Sequence, residues 1–272
     1  MPAMKHSLGA VCAILTAAAA APVMAQEHEH DGDADAPWSQ ADAYNDPERM
    51  EAARAALLHH HGSMTNWFAM IDRLEAQFTE GETALVWDGQ GWFGGDINKL
   101  WIKTEGEYSS EEDAFEEAEV QALWSRAVTP FFDLQAGVRY DLEPEGRAHG
   151  VIGVQGLAPY WFEVDAAAFI SEDADVTARV EVEYELLLTQ RLILQPRMEV
   201  ELSAQDIPAI GVGAGVSALD AGVRLRYEIK REFAPYVGVE WQGAFGDTAD
   251  YVRAGGGDPR RVALVAGIRA WF

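Results

Sequence analysis

The last twelve residues, Arg261-Val262-Ala263-Leu264-Val265-Ala266-Gly267-Ile268-Arg269-Ala270-Trp271-Phe272, constrain the fold most. Counting back in twos from Phe272 meets Ala270, Ile268, Ala266, Leu264 and Val262, all apolar. The other parity is mixed: Trp271, Arg269, Gly267, Val265, Ala263 and Arg261. That is a β-strand with one fully apolar face. An apolar strand left as a free edge invites aggregation. A soluble sandwich would turn that face into a core. A closed membrane barrel would pair both edges and turn it to lipid.

The rest of the chain from Thr65 repeats the pattern. In 220–230, Ala221, Val223, Leu225, Tyr227 and Ile229 share one parity, and Asp220, Arg224, Arg226, Glu228 and Lys230 share the other. The stretches 130–142, 159–171, 176–188 and 191–202 alternate in the same way, with Ile193 breaking step. Two features favour the barrel. The polar parity carries Arg and Glu together, as a crosslinked interior would, and the runs are long, about 10–13 residues against the 5–6 usual in soluble sheets. Aromatics near the strand ends, among them Trp67, Trp101, Trp124, Trp161, Tyr236 and Trp271, suit interfacial girdles. Phe272 is similar to the C-terminal insertion signal of bacterial outer-membrane barrels. The expected fold is all-β, an antiparallel transmembrane barrel of about twelve strands, with ten as the other count. Short connections such as Glu143-Pro144-Glu145-Gly146 and Thr189-Gln190 are expected in the periplasm, and 203–214 and 246–260 outside.

Residues 1–25 read as a secretory signal peptide: Lys5, an apolar run from Leu8 to Ala21, and small residues at Val23-Met24-Ala25. The run is too short to span a bilayer, which takes about 18 apolar residues. Cys12 is the one cysteine, so the mature chain has no disulfide or thiolate chemistry. The whole chain carries −25; removing Lys5 leaves 19 basic against 45 acidic residues, a net −26. Nucleic acid is excluded as a partner, whereas cations are attracted. Residues 26–64 read as a periplasmic arm ahead of a barrel at 65–272. Its start, QEHEHDGDADAP, is acidic and poor in apolar groups. A short helix follows over 46–58, with Asp46 as N-cap, Pro47 at its first position and Leu58 at its end.

The arm carries the candidate metal ligands. His59, His60, His61 and Met64 lie within six residues, and Gly62 leaves the backbone free to wrap an ion. Imidazole with thioether and no thiolate suits copper in both oxidation states. His28 and His30, among Glu27, Glu29 and Asp31, form a second group suited to Cu(II) or Zn(II). A polar linker and a solvated acidic tail are the plain alternatives. His149 falls on a strand as one interior residue among many charges and is expected to be a hydrogen-bonded structural residue, and Met198 falls on the apolar face. A hydrolase in the barrel would need His149, and no serine pairs with it by pattern.

Several segments resemble the copper resistance protein B (CopB) family: Trp87-Asp88-Gly89-Gln90-Gly91-Trp92-Phe93-Gly94-Gly95-Asp96, Lys99-Leu100-Trp101-Ile102-Lys103-Thr104-Glu105-Gly106-Glu107, Gly222-Val223-Arg224-Leu225-Arg226-Tyr227-Glu228 and Arg231-Glu232-Phe233-Ala234-Pro235-Tyr236. The resemblance runs from about Asn66 to Phe272. It implies an outer-membrane barrel that binds copper, contributes to copper homeostasis and resistance, and works beside a periplasmic multicopper oxidase. It implies a binding protein and not an enzyme. Family members usually carry Met/His-rich repeats before the barrel, reduced here to His59–Met64 and the His28 pair. The alternative is a structural or porin-like barrel whose metal binding is incidental. The glycines from Gly89 to Gly95 are expected to serve a tight turn or a bend.

Overall fold

The computed structural model describes residues 40–61, 64–79, 81–111 and 113–272. The chain divides into two units, Met1–Ser63 and Met64–Phe272. Within the first, a helix α1 spans Pro47–His61. It begins where a helix of this sequence should: the backbone N–H of Arg49 donates to Asp46 Oδ1 at 3.0 Å, and Pro47 fills a position whose N–H has no helical partner. The helix runs three residues beyond Leu58 and takes in His59, His60 and His61. Leu57 and Leu58 are exposed.

The second unit is one antiparallel sheet closed on itself. Its strands are β1 (Asn66–Phe78), β2 (Thr83–Gly94), β3 (Asn98–Ser109), β4 (Ala114–Ala127), β5 (Phe132–Glu143), β6 (Arg147–Ala158), β7 (Phe162–Ser171), β8 (Val176–Glu183, resumed at Leu186–Leu187), β9 (Leu192–Ser203), β10 (Gly215–Tyr227), β11 (Phe233–Ala244) and β12 (Arg260–Trp271). Each pairs with the next, and β12 returns to pair with β1 from Met70↔Trp271 to Phe78↔Leu264. The closed count is twelve. The interruption in β8 has a local cause. Tyr184 donates its N–H to the carbonyl of Pro196 on β9, but Pro196 has no N–H to return.

The barrel is apolar outside and polar inside. On β10, Val223 and Leu225 are exposed, while Arg224 and Arg226 are 2% and 3% exposed. On β12, Val262 and Leu264 face out between the buried Ala263 and Val265. Water would not tolerate such a wall, and lipid does. No helix among the described residues is long and apolar enough to cross a membrane.

Three expectations change. Of the glycines expected to turn or bend, Gly89 and Gly91 continue β2 beside β1, and the tight turn comes only after Gly94, where the Gly95 N–H donates to the Asn98 carbonyl at 3.0 Å. A Cβ on Gly91 would stand 3.0 Å from the carbonyl oxygen of Phe68, so that glycine permits close strand approach. The irregularity lies on β1, where Ile71 pairs with Gly89 and Arg73 with Asp88, leaving Asp72 as the extra residue of a bulge. Second, the Glu143–Gly146 turn follows an odd-numbered strand. It therefore sits at the same end as the long loops 204–214 and 245–259, away from both ends of the barrel sequence. Long loops mark the extracellular side, so this turn is extracellular, while 188–191 is periplasmic as expected. Strand order, not turn length, decides the side. Third, the aromatics divide. Trp67, Trp124 and Trp161 are exposed on the outside, whereas Tyr236 is buried within and Trp101 and Trp271 line interior cavities.

Candidate functional site: the charged interior of the barrel

Alternation places the polar residue of each pleat in the lumen, and the bulge at Asp72 turns two successive charged residues, Asp72 and Arg73, toward it. The lumen is narrow enough for side chains from opposite walls to meet. Arg224 on β10 grips Glu75 on β1 with two hydrogen bonds, Nε to Oε2 at 2.9 Å and Nη2 to Oε1 at 2.7 Å. Tyr236 and Gln77 also donate to Glu75, at 3.0 Å each. Glu75, 1% exposed, thus has its charge met from β1, β10 and β11.

These groups belong to one continuous network. Arg224 pairs with Glu240, whose other oxygen lies 3.8 Å from Arg197. Arg197 pairs with Glu199 and, at 2.7 Å, with Glu181. Glu199 lies 3.5 Å from Arg179. Arg179 spans the lumen to Glu105 at 2.7 Å, and Glu105 also binds Arg73 at 2.8 Å. A branch leaves through Glu119, which Arg179 shares with Arg139 at 3.3 and 2.6 Å. Nearer the periplasm, Arg269 bridges Asp72 at 2.8 Å and Glu185 at 2.7 Å. Each guanidinium serves at least two carboxylates. Burying such charges is tolerable only when they are mutually paired. The network crosslinks the barrel and fills its middle.

What is left open is a series of cavities. One of about 340 Å³ lies at the periplasmic end against Met70, Arg226, Arg269 and Trp271. Past Met70, Glu163 and Arg269 lies one of about 450 Å³, lined by nine carboxylates and four basic groups. Beyond Arg179 and Phe169 lies a third of about 280 Å³, roofed by Ile207, Ile210 and Val212 of the loop 204–214. That loop is held by helix α2 (Gly246–Ala254): the N–H of Gly213 donates to Thr248 Oγ1 at 2.8 Å.

The family model for copper resistance protein B precursor (CopB) matches residues 65–272. This chain belongs to the copper resistance protein B family. CopB relatives at high identity include the copper resistance protein B of Escherichia coli, 43% identical over 78% of this chain and 71% of its own length. The copper resistance protein B homolog of Pseudomonas syringae pv. tomato is 42% identical over 83% of this chain and 79% of its own. Among solved structures, a NanC porin shares 8% identity with a TM-score of 0.49, covering 75% of this chain and 99% of that one. CopB membership supports a role in copper resistance, and with the closed, lipid-compatible wall it places the protein in the outer membrane.

None of the described candidate copper ligands is among the residues of the barrel's ion-pair network. His59 and His60 sit exposed on the last turn of α1, their rings 5.1 Å apart and edge to face. His61 ends that helix. Successive helical residues are rotated by about 100°, so the His59 and His60 imidazoles diverge while the turn persists. Met64 is exposed at the start of the second unit. His28 and His30 lie outside the described residues. Within the barrel, His149 is buried with Nε2 2.9 Å from Asp141, the structural role expected of it, and Met198 faces outward. Met70 is the lumenal thioether, 3.5 Å from Arg269 Nη2. Among the described residues no three His, Cys, Asp or Glu are arranged to hold a metal ion. Sequence reasoning placed Arg179, Arg197 and Arg224 on the polar parity but did not single out Asp72, Arg73, Glu75, Gln77, Glu240 or Arg269, and it put Tyr236 in the girdle; their only signal was parity along β1, β11 and β12.

Proposed function

We propose that this member of the CopB family captures periplasmic copper with the arm 26–64, and that the barrel anchors the arm in the outer membrane. The ligands are His59, His60, His61 and Met64, with His28 and His30 as a second group. The observation that carries the reading is their concentration: of six histidines after residue 25, five lie in the arm and only His149 in the barrel. The engagement of His149 by Asp141 and of the lumenal carboxylates by arginines supports it from the other side, because an ion would have to displace a partner there. An exposed helix end is held by little more than its own hydrogen bonds, so unwinding the last turn of α1 to bring the three imidazoles together costs little. Residues 1–25 act as the signal peptide. The protein works by binding, not catalysis, alongside a periplasmic multicopper oxidase.

The test is titration of the folded protein in detergent with Cu(I) and Cu(II), intact and lacking residues 26–64. Tight binding lost on truncation is expected. Binding retained at full strength would move the site into the barrel. No binding by either form would leave the second reading, a porin-like barrel with incidental metal contacts, which the cavities in series favour.

A further inference from the structure

The two largest features of the lumen, its arginine network and its cavities, meet at one side chain. The cavities of about 450 and 280 Å³ have only Phe169 and Arg179 in common among their lining residues. The septum between them is Arg179, Glu119, Arg139 and Phe169: Arg139 lies 4.8 Å over the Phe169 ring and 2.6 Å from Glu119, which Arg179 approaches at 3.3 Å.

Arg179 has carboxylates on two opposing walls. Across the lumen it meets Glu105 on β3 at 2.7 Å, and Glu119 and Glu117 on β4 at 3.3 and 3.6 Å. On its own side it meets Glu199 and Glu201 on β9, both 3.5 Å from Nε. Glu201 is its direct cross-strand partner. The two sets are not equally engaged. The Nη atoms are hydrogen-bonded across the lumen, while the buried Nε–H, facing β9, has no hydrogen-bond partner. A buried donor left without an acceptor is destabilising, and its acceptors stand one small side-chain movement away.

We propose that Arg179 is a retractable bolt on a cation path through the barrel, closed when it reaches Glu105 and Glu119 and open when it withdraws onto Glu199 and Glu201. The guanidinium stays paired in both positions, so the exchange avoids the large penalty of stranding a buried charge. The species that favours withdrawal is a cation entering the periplasmic-side cavity, because it competes with Arg179 for Glu105 and Glu119. The excess of carboxylates over basic groups in that cavity selects cations over anions. This reading concerns the barrel alone and stands whether or not the arm binds copper.

Single-channel conductance in planar bilayers of the full chain tests it, with the heat-dependent gel shift of a folded barrel as the check on folding. The wild type is expected to stay mostly closed in KCl. Arg179→Ala is expected to raise mean conductance about tenfold or more and to give a cation-selective pore. Where that variant fails to fold, the isosteric pair Glu105→Gln with Glu119→Gln is expected to open the pore, because it frees the bolt from the far wall. Glu199→Gln with Glu201→Gln is expected to act in the opposite direction and hold it shut. A merely structural Arg179 would make both pairs shift conductance the same way, which would overturn the proposal. So would folded opening variants as closed as the wild type, a wild type already as open as Arg179→Ala, or an anion-selective opened pore.

Discussion

Helix α1 and the barrel interior hold their charged and imidazole groups in opposite ways. On α1, His59 and His60 are exposed and contact chiefly each other. In the barrel, Arg73, Arg139, Arg179, Arg197 and Arg224 each pair with carboxylates on other strands, and Arg179 reaches three. One region is poor in constraints and rich in soft metal ligands. The other is rich in constraints and has its ligands already occupied. A metal ion gains most where its ligands are unengaged, and a wall gains most where they are crosslinked.

The contrast breaks most sharply at Arg224. Arg224→Leu strands Glu75 and Glu240 in a closed interior, and should destabilise the barrel by about 3–5 kcal/mol, read as a lower urea midpoint in lipid vesicles. Copper binding by the arm should survive wherever the variant still folds. The converse change is His59→Ala with His60→Ala and His61→Ala, which should weaken copper binding about tenfold to a hundredfold with no change in the urea midpoint. An unaltered affinity there would sink the arm as the copper site. Gly267→Ala sharpens the comparison. Its new methyl would stand 2.6 Å from Glu75 Cβ and Tyr236 Oη and 2.7 Å from the Leu74 carbonyl, so we expect about 1–3 kcal/mol of lost barrel stability by the same assay. Smallest is Asp46→Ala, which removes the cap of α1. It should cost that helix about 1 kcal/mol, seen as lost helical circular dichroism in a peptide of residues 40–61, and leave the barrel untouched.

Much of the barrel was legible because alternation is a local property. Val223-Arg224-Leu225-Arg226 announces its two faces without any knowledge of its neighbours, and the strand count of twelve came from such stretches. Both signs of charge on one parity also announced a crosslinked interior. The partners did not announce themselves. Glu75 and Arg224 are 149 residues apart in the chain, and only the tilt and closure of the barrel bring them together. Of the glycines from Gly89 to Gly95, the turn at Gly95 was legible, but Gly89 and Gly91 also read as a bend because a missing side chain looks alike in a turn and beside a closely packed strand. The copper ligands were legible as composition. Their geometry was not, because the helix continues through His59, His60 and His61 where the sequence pattern ended it at Leu58.

The Glu75 clamp has a consequence for assembly. In the unclosed sheet β1 is one edge and β10 to β12 lie at the other, so Glu75 has neither Arg224 nor Tyr236. The three meet only when the first and last strands join, and only in one register. A slip of two residues along that seam would carry Glu75 a full pleat past its partners and enclose a carboxylate without its guanidinium, at a cost of about 3–5 kcal/mol. Backbone hydrogen bonds between β1 and β12 would accept either alignment. The buried charges do not, and so act as a proofreading device: they make the correctly joined ring the one low-energy way for the chain to find its own beginning.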